Sequence, residues 1–177
     1  MSQIKQSFNY AVLVDELIRI VNTSTECQLI ESSTTGPQPK RPFFSYEITS
    51  PYIPVTVDII DNEVFELVVS IKCHTDSSIQ GLNLLEKFRK YLNSFDVKIS
   101  LQNSKITLIS TTQPKKRDNF ISIEYERLSG FDARFRVQDS YLDDAIVIEN
   151  IDIQEENKWL KKFQMLMSKL ILCIHNQ

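Results

Sequence analysis

The sequence predicts an α+β protein: an antiparallel sheet with helices packed on one face, plus N-terminal and C-terminal helices. Three observations carry this expectation. Apolar residues recur at helical spacing near each end and once in the middle of the chain. The stretches between them alternate, or run in β-branched and aromatic residues. Those strand-like stretches also come in consecutive groups, which pair antiparallel more readily than through helical crossovers.

Tyr10, Leu13, Val14, Leu17, Ile18 and Val21 define the first helix, expected over about residues 4–22, and Asn22 to Thr25 are expected to end it. Cys27 to Ile30 suits a short strand. The stretch "SSTTGPQPKRPFFSYEITSP" then gathers one of the chain's three glycines and four of its six prolines. A helix and a short strand are too little to form a separate domain before it, so Ser32–Pro42 reads as an arm within one domain. Its prolines limit the conformations lost on docking and prevent regular strand pairing.

From Phe43 the pattern has period two, with Phe44, Tyr46 and Ile48 on one face. "PVTVDIIDNEVFELVVSIKCHT" reads as two further strands broken at Asp61-Asn62. Asp76 is the expected N-cap of a second helix, whose stripe is Leu84, Leu85, Phe88, Tyr91, Leu92 and Phe95. "KITLISTTQP", "NFISIEYERL", "FDARFRVQDSYL" and "AIVIENIDI" read as strands. Trp159, Phe163, Leu166, Met167, Leu170, Ile171 and Ile174 trace the last helix. Leu160, Met165, Leu172 and Cys173 broaden its apolar surface, which suits either the chain's own core or a neighbouring subunit.

Composition narrows the function classes. With 177 residues, 42% hydrophobic and 24% charged, the chain has globular proportions and can bury a core. A net charge of −3 argues against a dedicated nucleic-acid binder. Cys27, Cys73 and Cys173 are odd in number and widely spaced, so they suit buried thiols in a reducing compartment rather than a disulfide framework or zinc module. Asp15, Glu16 and Arg19 interrupt any signal-peptide core, and no segment approaches the ~20 apolar residues of a membrane span.

Chemistry is sparse. His74 adjoins Cys73 on a strand, so the two side chains point to opposite faces, which is awkward for joint metal ligation. His175 lies at the end of the last helix. There is no GxSxG, HExxH or Walker-type loop. Asp58, Asp61, Asp143 and Asp144 suit solvated turns better than a metal cluster. No catalytic residue, cofactor or metal site is expected. Lys115, Lys116 and Arg117 follow Pro114 in an expected loop, either as a solvated turn or as a basic tip touching DNA phosphate or an acidic neighbour.

At the level of segment order the chain resembles the neck or tail terminator proteins of tailed bacteriophages. "GPQPKRPFFSYEITSP" resembles their Pro-rich approach to the first strand. "EVFELVVSIKCHTDSSIQGLNLLEKFRKYLNS" resembles their long strand and Leu-rich helix, and "GFDARFRV" with "DDAIVIENIDI" their closing strands. The resemblance spans about residues 37–153. It implies a non-enzymatic virion protein that caps the head-proximal end of the tail tube, stops polymerisation and joins the neck as a ring, a hexamer in related terminators. The implied partners are copies of itself, the tail tube protein, a sheath protein if the tail is contractile, neck or connector proteins, and genomic DNA passing through the lumen.

The expected organisation is a terminator-like domain over residues 1–153 and a helical extension over 154–177, packed on the domain or a neighbour. Gly36, Pro37, Pro39, Lys40, Arg41, Phe43, Phe44, Tyr46, Trp159 and Phe163 are the candidate subunit contacts. Lys115, Lys116 and Arg117 are candidate DNA or neck contacts. The alternatives are a head-completion or stopper ring, a non-viral small-molecule or peptide-binding domain, and a hydrolase using Asp or Glu clusters.

Overall fold

The computed structural model describes residues 7–57, 61–117, 127–140, 163 and 165–166. The chain divides into two compact units, Met1–Asp143 and Asp144–Gln177. Among the described residues of the first, six strands and three helices follow the order α1 (Tyr10–Thr25), β1 (Leu29–Glu31), β2 (Phe43–Pro54), β3 (Val64–Thr75), α2 (Ser78–Leu92), α3 (Phe95–Asn103), β4 (Ile106–Thr111), β5 (Lys115–Lys116) and β6 (Arg127–Gln138). Of the second unit, Phe163, Met165 and Leu166 are described, all in helical conformation. The rest of the expected last helix and the "AIVIENIDI" strand lie outside the described residues, as does most of "NFISIEYERL".

Helix α1 starts later and ends later than its apolar spacing suggests. Asn9 is its N-cap, and the Asn9 side-chain oxygen accepts from the Ala11 N–H at 3.0 Å. Thr23 and Thr25 remain helical, and each hydroxyl is satisfied within the helix by donating to a carbonyl one turn back, Arg19 O and Val21 O, both at 2.8 Å. The helix stops at Glu26, whose φ of 60° is left-handed and whose N–H reaches Asn22 O.

The sheet runs β1-β2-β3-β6-β4, with β5 also pairing to β6. It is antiparallel except at one edge, where β1 runs parallel to β2 through Leu29↔Phe44 and Glu31↔Tyr46. The expected antiparallel sheet thus carries one parallel pair at its edge. Parallel neighbours need a return connection, and the arm Ser32–Pro42 supplies it.

Further expectations change. The strand that begins at Phe43 runs on through Pro51 to Pro54 as β2, with register shifts between Ile48 and Ser50 and between Ser50 and Ile53, while Val55, Thr56 and Val57, expected in the next strand, are not in a strand. Pro51 and Pro54 are tolerated because β1 covers the far side of β2 only as far as Tyr46. Asp76 does not cap α2. Ser77 takes the N-cap position, and the Asp76 carboxylate instead pairs with Arg41 at 3.1 Å. The chain then breaks at Asn93-Ser94 and re-enters a helix, α3, which the sequence pattern does not predict: the second helix is expected to end at Phe95, with a strand next from Lys105. That break turns Phe95 out to solvent, at 76% exposure.

Strand pleating sorts the sheet into two faces. Phe65, Leu67, Val69, Ile71 and Cys73 of β3 join Phe131, Ala133, Phe135 and Val137 of β6 beneath the helices. Leu13, Leu17, Ile20 and Val21 of α1, Leu85, Phe88 and Leu92 of α2, and Val97 and Leu101 of α3 complete this core. The opposite face carries Glu66, Ser70, Lys72 and His74 of β3 against Arg136, Asp132, Gly130 and Leu128 of β6.

Candidate functional site

The polar face of the sheet is built from charge pairs across neighbouring strands. Glu66 of β3 accepts from Arg136 Nη2 at 2.6 Å and also from Arg134 Nε, while its side chain is 7% exposed. The Arg136 hydrogen bond outweighs burial, and with Arg134 it holds the Glu66 carboxyl below its ordinary value. One row along, Arg117 reaches over Gly130, donating to Asp132 Oδ1 at 2.9 Å and to the Ser70 hydroxyl. Burial pushes Asp132 up, but the Arg117 and Ser70 contacts more than reverse it and leave its carboxyl low. Lys72 meets Glu47 at 3.2 Å.

Lys115, Lys116 and Arg117 thus separate. The two lysines are exposed and form β5, paired to Gly130 and Ser129, rather than sitting in a loop. Arg117 turns inward and is committed to the sheet face.

The arm residues also divide. Gly36, Pro37 and Lys40 are exposed, and Pro39 and Arg41 are half-buried. Phe43 and Phe44 are consecutive, so they point to opposite faces. Phe43 is buried and stacks on the His74 ring, with centroids 4.3 Å apart and planes 9° apart. Phe44 is fully buried in the helix-side core against Phe88. A neighbour meeting this segment therefore touches the arm and the exposed strand residues, because Phe44 belongs to the subunit's own interior. Trp159 lies outside the described residues; Phe163 is in the helical part of the second unit.

Tyr46 lines a cleft of about 780 Å³ beside the β1–β2 edge, with Tyr10, Val14, Asp15, Glu31, Glu47 and Lys72. Burial, followed by the negative charges of Glu31 and Asp15, pushes the Tyr46 phenol up. The cleft is thus acidic. Sequence reasoning missed it because Asp15 and Glu31 belong to separate elements and meet only through the fold. It also missed the Glu66 clasp, although Arg134 and Arg136 alternating with Ala133, Phe135 and Val137 was a visible signal of one charged strand face.

His74 Nε2 lies 2.8 Å from the Ser45 hydroxyl. Ser45 is only 2% exposed, so this pair is closed to a substrate and serves packing. Cys73 points the other way into the core, as the adjacent positions require. No group of three His, Cys, Asp or Glu is placed to hold a metal ion, and no helix is long and apolar enough to cross a membrane, among the described residues.

Residues 11–158 match the family described as "Phage neck terminator protein", from the start of α1 past the end of β6. The chain belongs to the phage neck terminator family. As a neck terminator protein it is a structural, non-enzymatic component of the phage tail and neck. No curated protein matches the chain. A chain in the solved structure titled "Virion of native gene transfer agent (GTA) particle" is similar at 13% identity and a TM-score of 0.35, covering 73% of this chain and 90% of that one. That likeness is too distant to carry an inference.

Proposed function

We propose that this neck terminator protein caps the head-proximal end of the tail tube as a ring, stops tube polymerisation and joins the finished tail to the neck. The observation that carries the reading is the family match over residues 11–158. A tube cap needs repeatable surfaces more than a pocket, and a sheet with two differing edges supplies such surfaces. In this reading the subunits form a hexamer around a passage for genomic DNA, contacted without sequence preference. The partners are the tail tube protein, a sheath protein if the tail is contractile, and neck or connector proteins.

Residues 1–153 form the capping domain, and 154–177 a helical extension held on it or on a neighbour through Trp159 and Phe163. The arm residues Gly36, Pro37, Pro39, Lys40 and Arg41, with Tyr46 near the start of the strand they introduce, lie at the subunit boundary, whereas Phe43, stacked on His74, and Phe44 are buried within the subunit. Lys115 and Lys116 supply a basic tip for DNA phosphate, the neck or an acidic neighbouring subunit, with Arg117 fixing the base of that strand. Assembly takes place in the host cytoplasm before incorporation into the virion. No observation favours a non-viral binding domain or a hydrolase.

Electron microscopy of particles produced without this protein tests the reading. Tails of uncontrolled length, or finished tails unable to join heads, are the expected outcome. Normal infectious particles would exclude it.

A further inference from the structure

Among the described residues, the two edges of the sheet carry opposite charge. At one edge, Asp15 of α1 and Glu31 at the end of β1 are exposed beside the Tyr46 cleft, and neither has an ion-pair partner among the described residues. Burial first, and then the negative charges of Glu31 and Asp15, push the Tyr46 phenol up. Glu47 adds a third carboxylate, shared with Lys72.

At the opposite edge, Lys115 and Lys116 of β5 are exposed and likewise lack an ion-pair partner among the described residues. Arg134 and Arg136 stand on the same side of the sheet, two guanidiniums on the single carboxylate of Glu66, and are 44% and 45% exposed. Three strand spacings separate β2 from β5 across the sheet order, roughly 14 Å in all. The acidic cleft and the basic edge therefore face away from each other and cannot neutralise one another within one subunit.

We propose that these edges are the two halves of one head-to-tail contact, in which the β5 edge of one subunit docks at the acidic α1–β1–β2 cleft of the next copy. The occupant is a second copy because the two surfaces complement each other in charge and lie on opposite sides of one molecule. That is the requirement for a heterologous contact that repeats by rotation and closes. Asp15 and Glu31 receive Lys115 and Lys116, and Tyr46 and Val14 give the cleft an apolar wall. The arm Ser32–Pro42 begins at this cleft, through Ser32 and Ser33, and so borders the contact. Charge of this kind sets register and partner choice more than raw affinity. The inference rests on the ring reading above.

Charge reversal tests it on the full-length chain. Native mass spectrometry and sedimentation velocity would compare wild type, Lys115→Glu/Lys116→Glu and Asp15→Lys/Glu31→Lys, with circular dichroism confirming that each folds. Each double variant alone is expected to self-associate at least about tenfold more weakly, since like charges then face each other. An equimolar mixture of the two is expected to recover assembly, because the reversed basic edge of one fits the reversed acidic cleft of the other. Salt near 1 M, where screening acts within about 3 Å, should weaken wild-type assembly. Double variants that each assemble as tightly as wild type would overturn this contact and leave the ring standing. Wild-type protein that stays monomeric in solution, and shows no self-cross-links on finished tails, would overturn the ring and this contact together.

Discussion

Glu66 and Arg136 lie directly opposite one another in the β3–β6 register, and their side chains meet at 2.6 Å across the polar face of the sheet. Arg134, two positions along the same strand, closes on the other oxygen of the same carboxylate. One acid thus holds two arginines of a single strand, on a sheet whose opposite face is the core. The clasp ties the two longest-paired strands together where no apolar packing from the helices reaches. Its removal is a direct measure of what the polar face contributes.

Glu66→Gln keeps the shape and removes the charge, so charge-assisted hydrogen bonds to both arginines become ordinary ones. The expected cost is about 1–2 kcal/mol. Urea denaturation checks it, with a lower midpoint and an unchanged slope.

The same carboxylate makes the protein acid-sensitive in a definite direction. Because the folded Glu66 titrates below its ordinary value near 4.5, its contribution is complete above that value and is lost as pH falls through the folded one. Glu86, lowered chiefly by its Arg89 hydrogen bond, and Asp132, lowered by Arg117 and Ser70 against burial, act with the same sign. Stability measured from pH 7 downward should stay level and then fall below about pH 4.5. Glu66→Gln should show a shallower fall; an equally steep acid limb in that variant would place the sensitivity elsewhere.

Gly130 is required by close approach. A Cβ there would stand 2.5 Å from Ile71 O and 3.1 Å from Arg117 Cδ. The first neighbour is backbone in the central strand and cannot yield cheaply, so Gly130→Ala is expected to cost about 1–3 kcal/mol. Thermal melting checks the loss. Nuclear magnetic resonance of the Arg117 side chain should report its displacement from Asp132.

Phe44 and Lys115 separate interior from surface. Phe44 is fully buried against Phe88, so Phe44→Ala is expected to cost about 3–5 kcal/mol. Lys115→Ala, on an exposed two-residue strand, should change monomer stability by no more than about 0.5 kcal/mol. Chemical denaturation of both variants, side by side, makes the comparison.

Burial pushes the Cys73 thiol up to about 12, with nearby Cys27 adding to it, so almost none is thiolate at pH 8. Peptide mass spectrometry after iodoacetamide treatment should find Cys73 unmodified in the native protein and fully modified in urea. Rapid native labelling would show that the core opens there.

The amphipathic stripes of α1 and α2, and the alternation of Phe44 and Tyr46 or of Ala133 to Val137, are local signals. Each needs only the helix or strand period to be read, and so the α+β class and most core residues were legible. The terminator resemblance was legible in the same way, because it lay in the order of segments. Boundaries were less so. Thr23 and Thr25 look like helix breakers until their hydroxyls find carbonyls one turn back. Asp76 looks like a cap until Arg41, distant in sequence, claims it.

What the sequence by itself determined is the alternation of helices and strands, the apolar face of each, the absence of recognised catalytic motifs, and the family pattern. All of these are written in spacing along the chain. What only the tertiary structure decided is which residues meet across it: Arg117 turned inward while Lys115 and Lys116 stay exposed, two arginines on Glu66, and Asp15 beside Glu31 at the opposite edge. Strand order places these groups together, and strand order is set by the packing of the whole sheet against its helices. Charge on a strand face has a period that can be read; its partner is a matter of topology.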